Sequence, residues 1–279
     1  MYNIPKNIQA AVLVRINKPL EILSMPLPKL KRGQVLVKIL YSGVCRSQLM
    51  ECKGLRGKDK WLPHLLGHEG SGVVIKVGES VSKVSIGDEV ILTWIECEGI
   101  DAKPAKYRQN KKVINAGKVT TFSNYTIVSE NRVIKKPKKM PFDVAALYGC
   151  AFPTGAGMII NDLKFSKNDN VVVLGLGGIG MSALIALVAS GIRNIIAVDM
   201  SDAKLMIAKR LGIKHTYNSK NEKIIDKIFK ITNKGADYCI ESAGSIKTIE
   251  LGFNLINNKG TLLFASHPDN NKKISLYPH

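Results

Sequence analysis

The stretch Val171-Val-Val-Leu174-Gly175-Leu-Gly177-Gly178-Ile179-Gly180 decides how the chain is read. An apolar run leads into a G-x-G-x-x-G pattern, and Ile179–Ser190 follows, helix-like and apolar nearly all round. A continuous apolar run fits a parallel strand covered on both faces, and an all-round apolar helix predicts burial. Between such a strand and helix each glycine has its own task. Gly175 permits the tight turn, Gly177 lets the backbone approach a pyrophosphate, and Gly180 lets helix and strand pack together. The helix start at Gly178 and Ile179 offers unpaired N–H groups and partial positive charge to phosphates. Asp199 lies at the end of the next strand, Asn194–Val198. A carboxylate there accepts from both ribose hydroxyls of an adenosine and repels a 2′-phosphate, which predicts NAD rather than NADP. Lys204 either reaches the same ribose or is a solvated helix lysine.

Working outward, Asp202–Leu211 reads as a helix, with Ser201 or Asp202 as its N-cap and Gly212 near its end. Strands near Lys214–Tyr217, Asp237–Ile240 and Thr261–Ala265 follow, with helices between. Alternating strand and helix predicts a doubly wound parallel sheet. The first half reads differently. Val35, Val37, Ile39 and Tyr41 alternate with Gln34, Leu36, Lys38 and Leu40 as in a strand; Gly70–Gly78, Glu89–Leu92 and Thr121–Val128 read as further strands. Many short strands with Gly and Pro punctuation point to an antiparallel barrel or sandwich. The fold class is therefore α/β, with a β-rich domain over residues 1–160 and a nucleotide-binding domain over residues 161–279.

Composition narrows the function. The 279 residues are 45% hydrophobic, enough for two real cores. The longest apolar run, Met181–Ala189, falls far short of the roughly 20 residues a bilayer needs, and the N-terminus has no signal-peptide pattern. Five cysteines, at 45, 52, 97, 150 and 239, form no disulfide framework and point to a reducing cytoplasm. The net charge of +19 raises the question of a nucleic-acid partner. Its basic residues are mainly lysine, spread along the chain. The short clusters Lys135–Lys139 and Lys29–Arg32 lack the interleaved aromatics of a single-strand binder, so a solvated basic face is expected and no nucleic acid or membrane partner.

Three segments of the first part carry potential metal ligands: Gly43-Val-Cys45-Arg46-Ser47, Gly67-His68-Glu69-Gly70 and Gly149-Cys150-Ala-Phe-Pro-Thr154-Gly155. Two cysteines and a histidine suit one zinc with a fourth position open. Taken singly, each cysteine reads more readily as a buried small hydrophobe than as a ligand, and His68 as a structural histidine.

In order along the chain, the motifs GVCRS, GHEGSG, GCAFPTGAG, GLGGIG and AVDMSDAKL resemble the zinc-containing medium-chain dehydrogenase/reductase family, of the alcohol dehydrogenase type. The resemblance implies a GroES-like catalytic domain and a Rossmann domain, zinc and NAD as cofactors, and hydride transfer between an alcohol, or the matching aldehyde or ketone, and NAD(H). It implies Cys45, His68 and Cys150 as catalytic zinc ligands, Glu69 as an acid approaching the metal, and Ser47 as the hydroxyl taking the alcohol proton. Arg46 would pair with the pyrophosphate, Thr154 contact the nicotinamide and Asp199 hold the ribose. A homo-oligomer is implied for a full-length protein.

The sequence also departs from the family. The region after Trp94 holds one cysteine, Cys97, where many members bind a structural zinc with four; one catalytic zinc and no structural zinc are expected. Gln48 stands where an aspartate often orients the His ligand, and Met50 where a proton-relay histidine often lies. His64 nearby reads as a solvated loop histidine. The chain stops at Leu276–His279, after the fifth Rossmann strand, so the last strand and the C-terminal return segment are expected to be missing, leaving an exposed sheet edge. Trp94, Met50 and Phe152 read either as pocket lining or as core. Two other readings stand beside the leading one: a zinc-free quinone- or enoyl-type reductase of the same superfamily, and a non-catalytic nucleotide-binding remnant.

Overall fold

The computed structural model describes residues 4–220, 223–266, 268 and 273–276, and the chain divides between Cys150 and Ala151 into two compact units. The sequence reading puts this division at residue 160. The residues between are helical and belong to the second unit, because Ala156, Met158 and Ile159 enter its core.

The first unit contains strands β1 (Asn7–Leu13), β2 (Glu21–Pro26), β3 (Gln34–Ser42), β4 (His64–Leu65), β5 (Glu69–Val77), β6 (Glu89–Thr93), β7 (Tyr107–Gln109), β8 (Lys112–Ile114), β9 (Tyr125–Ser129) and β10 (Val133–Lys135). Two short helices, α1 (Arg46–Cys52) and α2 (Phe142–Leu147), accompany them. The strands form antiparallel ladders in the orders β2-β1-β4, β10-β6-β5-β3-β9 and β7-β8. Period-2 side-chain alternation divides β3 between two cores. Leu36 joins Ile8, Met25 and Tyr107 on one face, and Val35 and Val37 join Val74, Val90 and Leu92 on the other. The alternation fails at its far end, where Leu40 and Tyr41 are exposed.

The strand expected over Thr121–Val128 begins only at Tyr125. Thr121 and Phe122 instead both donate their N–H groups to the Leu66 carbonyl, tying this segment to the loop before His68. The basic stretch at 135–139 is also less solvated than expected. Lys136 is buried, with Nζ 2.6 Å from the Met140 carbonyl, 2.9 Å from Glu89 and stacked over the Phe142 ring.

In the second unit α3 (Ala151–Gly157) leads to β11 (Asn170–Leu174), α4 (Gly178–Ala189), β12 (Asn194–Asp199), α5 (Asp202–Arg210), β13 (His215–Asn218), α6 (Ile224–Thr232), β14 (Ala236–Glu241), α7 (Ile246–Leu255) and β15 (Ile256–Phe264). The sheet is parallel throughout, in the order β13-β12-β11-β14-β15. The order reverses at β11, the switch point at whose C-terminal end such sheets bind nucleotides. Both faces of β11 are covered: Val171 and Val173 enter one core, Val172 and Leu174 the other.

Helix α4 corrects one expectation. It is not buried all round: Leu184 and Leu187 face the core, while Ile185 and Val188 are exposed. Strand β15 begins at Ile256, earlier than expected, because the polar run Asn257–Gly260 hides it in the sequence. Asn257 ties it to β14 through a 2.7 Å hydrogen bond to Asp237.

Candidate active site

Local interactions bring three distant segments together in the first unit. Gly43 donates its N–H to the Glu69 carbonyl at 3.1 Å, and the Thr121 hydroxyl donates to the same oxygen at 3.0 Å. The Thr93 hydroxyl holds the Gly149 carbonyl at 2.7 Å. Glycine is required where these segments cross: a Cβ on Gly43 would lie 2.5 Å from the Glu69 carboxyl carbon, and one on Gly149 would lie 2.8 Å from Glu69 Cα. Cys45 caps the start of α1, His68 immediately precedes β5, and Cys150 follows α2.

The result is one cluster. The Cys45 and Cys150 sulfurs and a ring nitrogen of His68 all lie within 4.8 Å of one another. Among the described residues this is the one group of three His, Cys, Asp or Glu side chains so placed. The Cys45 thiol is drawn down to about 3, first by hydrogen bonding with Cys150, then by His68 and, more weakly, Ser47, against the cost of its burial. Cys150 is pushed up for the reciprocal reason, since it keeps the shared proton beside the Cys45 thiolate, and its burial and the Glu69 charge add to the effect. The two thiols thus titrate as a pair that readily holds one negative charge and resists a second. The Trp94 indole side chain hydrogen-bonds Cys150, which favours its charged form.

Zinc fits these residues. His68 Nε2 and Ser47 Oγ are buried and have no partner of acceptable hydrogen-bond geometry, although both side chains approach the Cys45 sulfur. An orphaned buried ring nitrogen is costly. It lies beside two sulfurs that resist a second negative charge, with the 2% exposed Glu69 near Cys150. The span of the cluster suits an ion with bonds of about 2.0–2.3 Å.

The remaining expected residues of this unit fall on α1. Arg46 is exposed at its first position, Ser47 follows, and Met50 is buried at 6% exposure. Met50 is therefore core. Trp94 is half exposed, with its carbonyl accepting from Arg132 at 2.7 Å. His64 differs from the solvated loop histidine expected. It sits in β4, with its ring nitrogens 2.8 Å from Asp59 and 3.0 Å from the Leu65 carbonyl.

The second unit carries the nucleotide turn at the end of β11. Gly175 has φ of +86°, a left-handed backbone that favours glycine. A Cβ on Gly180 would lie 1.9 Å from the Gly175 carbonyl oxygen. A Cβ on Gly177 would meet nothing within 4 Å, leaving its backbone open to an approaching ligand. Helix α4 begins at Gly178 and Ile179 without a side-chain cap, so its first N–H groups remain available to phosphate. Asp199 ends β12, where one oxygen accepts the Leu176 N–H at 2.6 Å and the other the Ser201 N–H at 2.9 Å. Lys204 Nζ lies 3.6 Å from Asp199. Thr154 is part-buried in α3, and Phe152 in the same helix packs on the unit's core.

One residue of this turn has no counterpart among the expected ones. Glu241, fully buried at the end of β14, accepts from the N–H groups of Ala243 and Gly244, both at 2.9 Å, and from the Thr248 hydroxyl at 2.7 Å; its other oxygen takes the Ser266 hydroxyl. It shapes the turn in which the Ser242 hydroxyl donates to the Gly175 carbonyl at 2.7 Å. A strand-end acid followed by Ser-Ala-Gly is the one sequence signal that could have marked it.

Comparison with known proteins agrees with this geometry. Residues 31–138 match the family model of the alcohol dehydrogenase GroES-like domain, and residues 178–278 that of the zinc-binding dehydrogenases. An S-(hydroxymethyl)glutathione dehydrogenase from Paracoccus denitrificans is 32% identical over 274 residues, covering 86% of this chain and 73% of the relative. A class-3 alcohol dehydrogenase from Cereibacter sphaeroides is 32% identical with the same coverage. Among solved structures, an alcohol dehydrogenase zinc-binding domain protein from Burkholderia ambifaria superposes with a TM-score of 0.89 at 30% identity, covering 97% of this chain and 80% of the other. Benzyl alcohol dehydrogenase from Acinetobacter calcoaceticus superposes with a TM-score of 0.86 at 28% identity, covering 98% and 80%. The chain therefore belongs to the zinc-containing medium-chain dehydrogenase/reductase family, of the alcohol dehydrogenase type.

Proposed function

We propose that the chain is an NAD-dependent alcohol dehydrogenase with one catalytic zinc held by Cys45, His68 and Cys150. The observation that carries this reading is the convergence of two sulfurs and an orphaned ring nitrogen within 4.8 Å. When bound, zinc supplies Lewis acidity that lowers the pKa of an alcohol in its open position. NAD supplies the hydride acceptor.

The protein's own residues bind, orient and move a proton. Cys45 and Cys150 contribute thiolates and His68 contributes Nε2. Glu69, buried beside them, is placed to approach the metal during ligand exchange. Ser47 Oγ is buried beside the Cys45 sulfur, where it would take the alcohol proton and pass it outward. Met50, in α1, has no titratable group, so the proton leaves by another path. In the nucleotide-binding unit the Gly175–Gly180 turn and the N–H groups of Gly178 and Ile179 receive the pyrophosphate. Thr154 contacts the nicotinamide, and Asp199 with Lys204 holds the ribose. The Asp199 carboxylate favours NAD over NADP.

The partner is a small alcohol or its carbonyl product. The reading names no nucleic-acid partner, and in the basic cluster Lys135 and Lys136 are engaged in ion pairs with Asp88 and Glu89. Among the described residues no helix is long and apolar enough to cross a membrane. The five free cysteines support a cytoplasmic setting. A homo-oligomer is part of the proposal for a full-length protein only. A zinc-free reductase would leave the Cys–His–Cys cluster without a use, and a non-catalytic remnant would leave Ser47 without one.

The test is NAD⁺ reduction by zinc-replete protein against a panel of primary, secondary and aromatic alcohols and S-(hydroxymethyl)glutathione, the compound in the Paracoccus relative's name. Turnover with at least one alcohol, lost with a chelator and restored by zinc, is expected. No turnover with any of them, or turnover indifferent to chelation, overturns the proposal.

A further inference from the structure

The Gln48 amide lies between two partners with opposite needs. Its Oε1 accepts the Cys45 N–H at 3.0 Å, completing one half of a capping box at the start of α1. A backbone N–H can only donate, so this bond fixes which way the amide faces. Its Nε2 then meets Nδ1 of His68. An amide NH₂ has no lone pair with which to accept, so Nδ1 must be the accepting ring nitrogen. The ring proton consequently sits on Nε2, the buried atom that has no partner. A ring nitrogen carrying a proton cannot bind a metal; the ligating nitrogen must be bare and the other protonated.

We infer that Gln48 is a positioning residue that holds His68 in the tautomer opposite to the one its zinc set needs. Capture of zinc then requires the amide to reverse and give up the Cys45 N–H bond. The inference rests on the zinc reading above and adds to it a built-in handicap on metal affinity. Gln48→Glu removes the conflict, since both carboxylate oxygens accept: one from Cys45 N–H, the other from a protonated Nδ1. Partners of metal-bound histidines change affinity by about 10–100-fold, and a gain in that range is expected here.

Two measurements on the full chain test this. Nitrogen NMR of the metal-free wild-type protein reads the His68 tautomer without any mutation; a proton on Nε2 is expected, and a proton on Nδ1 overturns the inference. Competition against a chelator reads zinc affinity. Gln48→Glu is expected to move the proton to Nδ1 and to tighten zinc about 10–100-fold, while the thermal midpoint stays near that of wild type. Zinc bound equally tightly by both proteins overturns this inference alone. Zinc bound by neither overturns the zinc reading and this inference with it.

Discussion

Asp199 Oδ2 accepts the N–H of Leu176 at 2.6 Å. The carboxylate proposed to hold the ribose therefore also fixes the glycine turn proposed to receive the phosphates, binding two parts of one site into a unit. Its second oxygen is engaged by Ser201, the N-cap position of α5.

Asp199→Ala should therefore weaken NAD binding by more than the loss of a ribose contact alone. Each lost charged hydrogen bond contributes about 1.5–3 kcal/mol, so a drop in affinity of at least tenfold is expected by calorimetry, together with a lower thermal midpoint. Unchanged affinity would show that the carboxylate serves neither purpose.

Glu241 acts on the same turn from the other side of the switch point. Glu241→Ala leaves the N–H groups of Ala243 and Gly244 and the Thr248 hydroxyl without their acceptor. A buried donor left unpaired costs about 1–3 kcal/mol. The unit should lose stability in urea titrations, and NAD affinity should fall although Glu241 is fully buried. If only stability changed, Glu241 would be a core residue without influence on the cofactor.

Glu130 gives the β-rich unit an acid limit. Burial alone would raise its carboxyl, but the N–H groups of Ile100, Lys83 and Ser82 outweigh this and hold it below the usual glutamate range. A depressed folded-state pKa stabilises the fold above the unfolded value and is lost as pH falls through the folded one. Denaturation midpoints followed downward from neutral pH should decline below the ordinary glutamate range, and Glu130→Gln should flatten that part of the decline. An unaltered acid profile in the variant would remove Glu130 as a cause.

What the sequence made legible follows from how local each feature is. The nucleotide turn occupies one strand, one loop and one helix in succession, so GLGGIG and Asp199 could be placed from spacing. The metal cluster spans Cys45 to Cys150, and no periodicity links such distant residues; only the family resemblance joined them. The ties that bring them together, Gly43 to Glu69 and Thr93 to Gly149, run through backbone groups that every residue has. Glu241 and Glu130 were missed because a lone acid shows neither its burial nor its donors. The Gln48 conflict needed the direction of the Cys45 N–H, which only coordinates supply. Exposure of Ile185 and Val188 on α4 was hidden because composition records how apolar a helix is, not which side is covered.

The most direct test of the account is zinc-edge X-ray absorption of the purified, zinc-loaded protein. Two sulfurs at about 2.3 Å with nitrogen or oxygen at about 2.0–2.1 Å are expected, with one sulfur lost in Cys45→Ser and one in Cys150→Ser. A zinc shell without sulfur, a four-sulfur shell, or a spectrum indifferent to both substitutions would contradict the claim that these three side chains hold the metal.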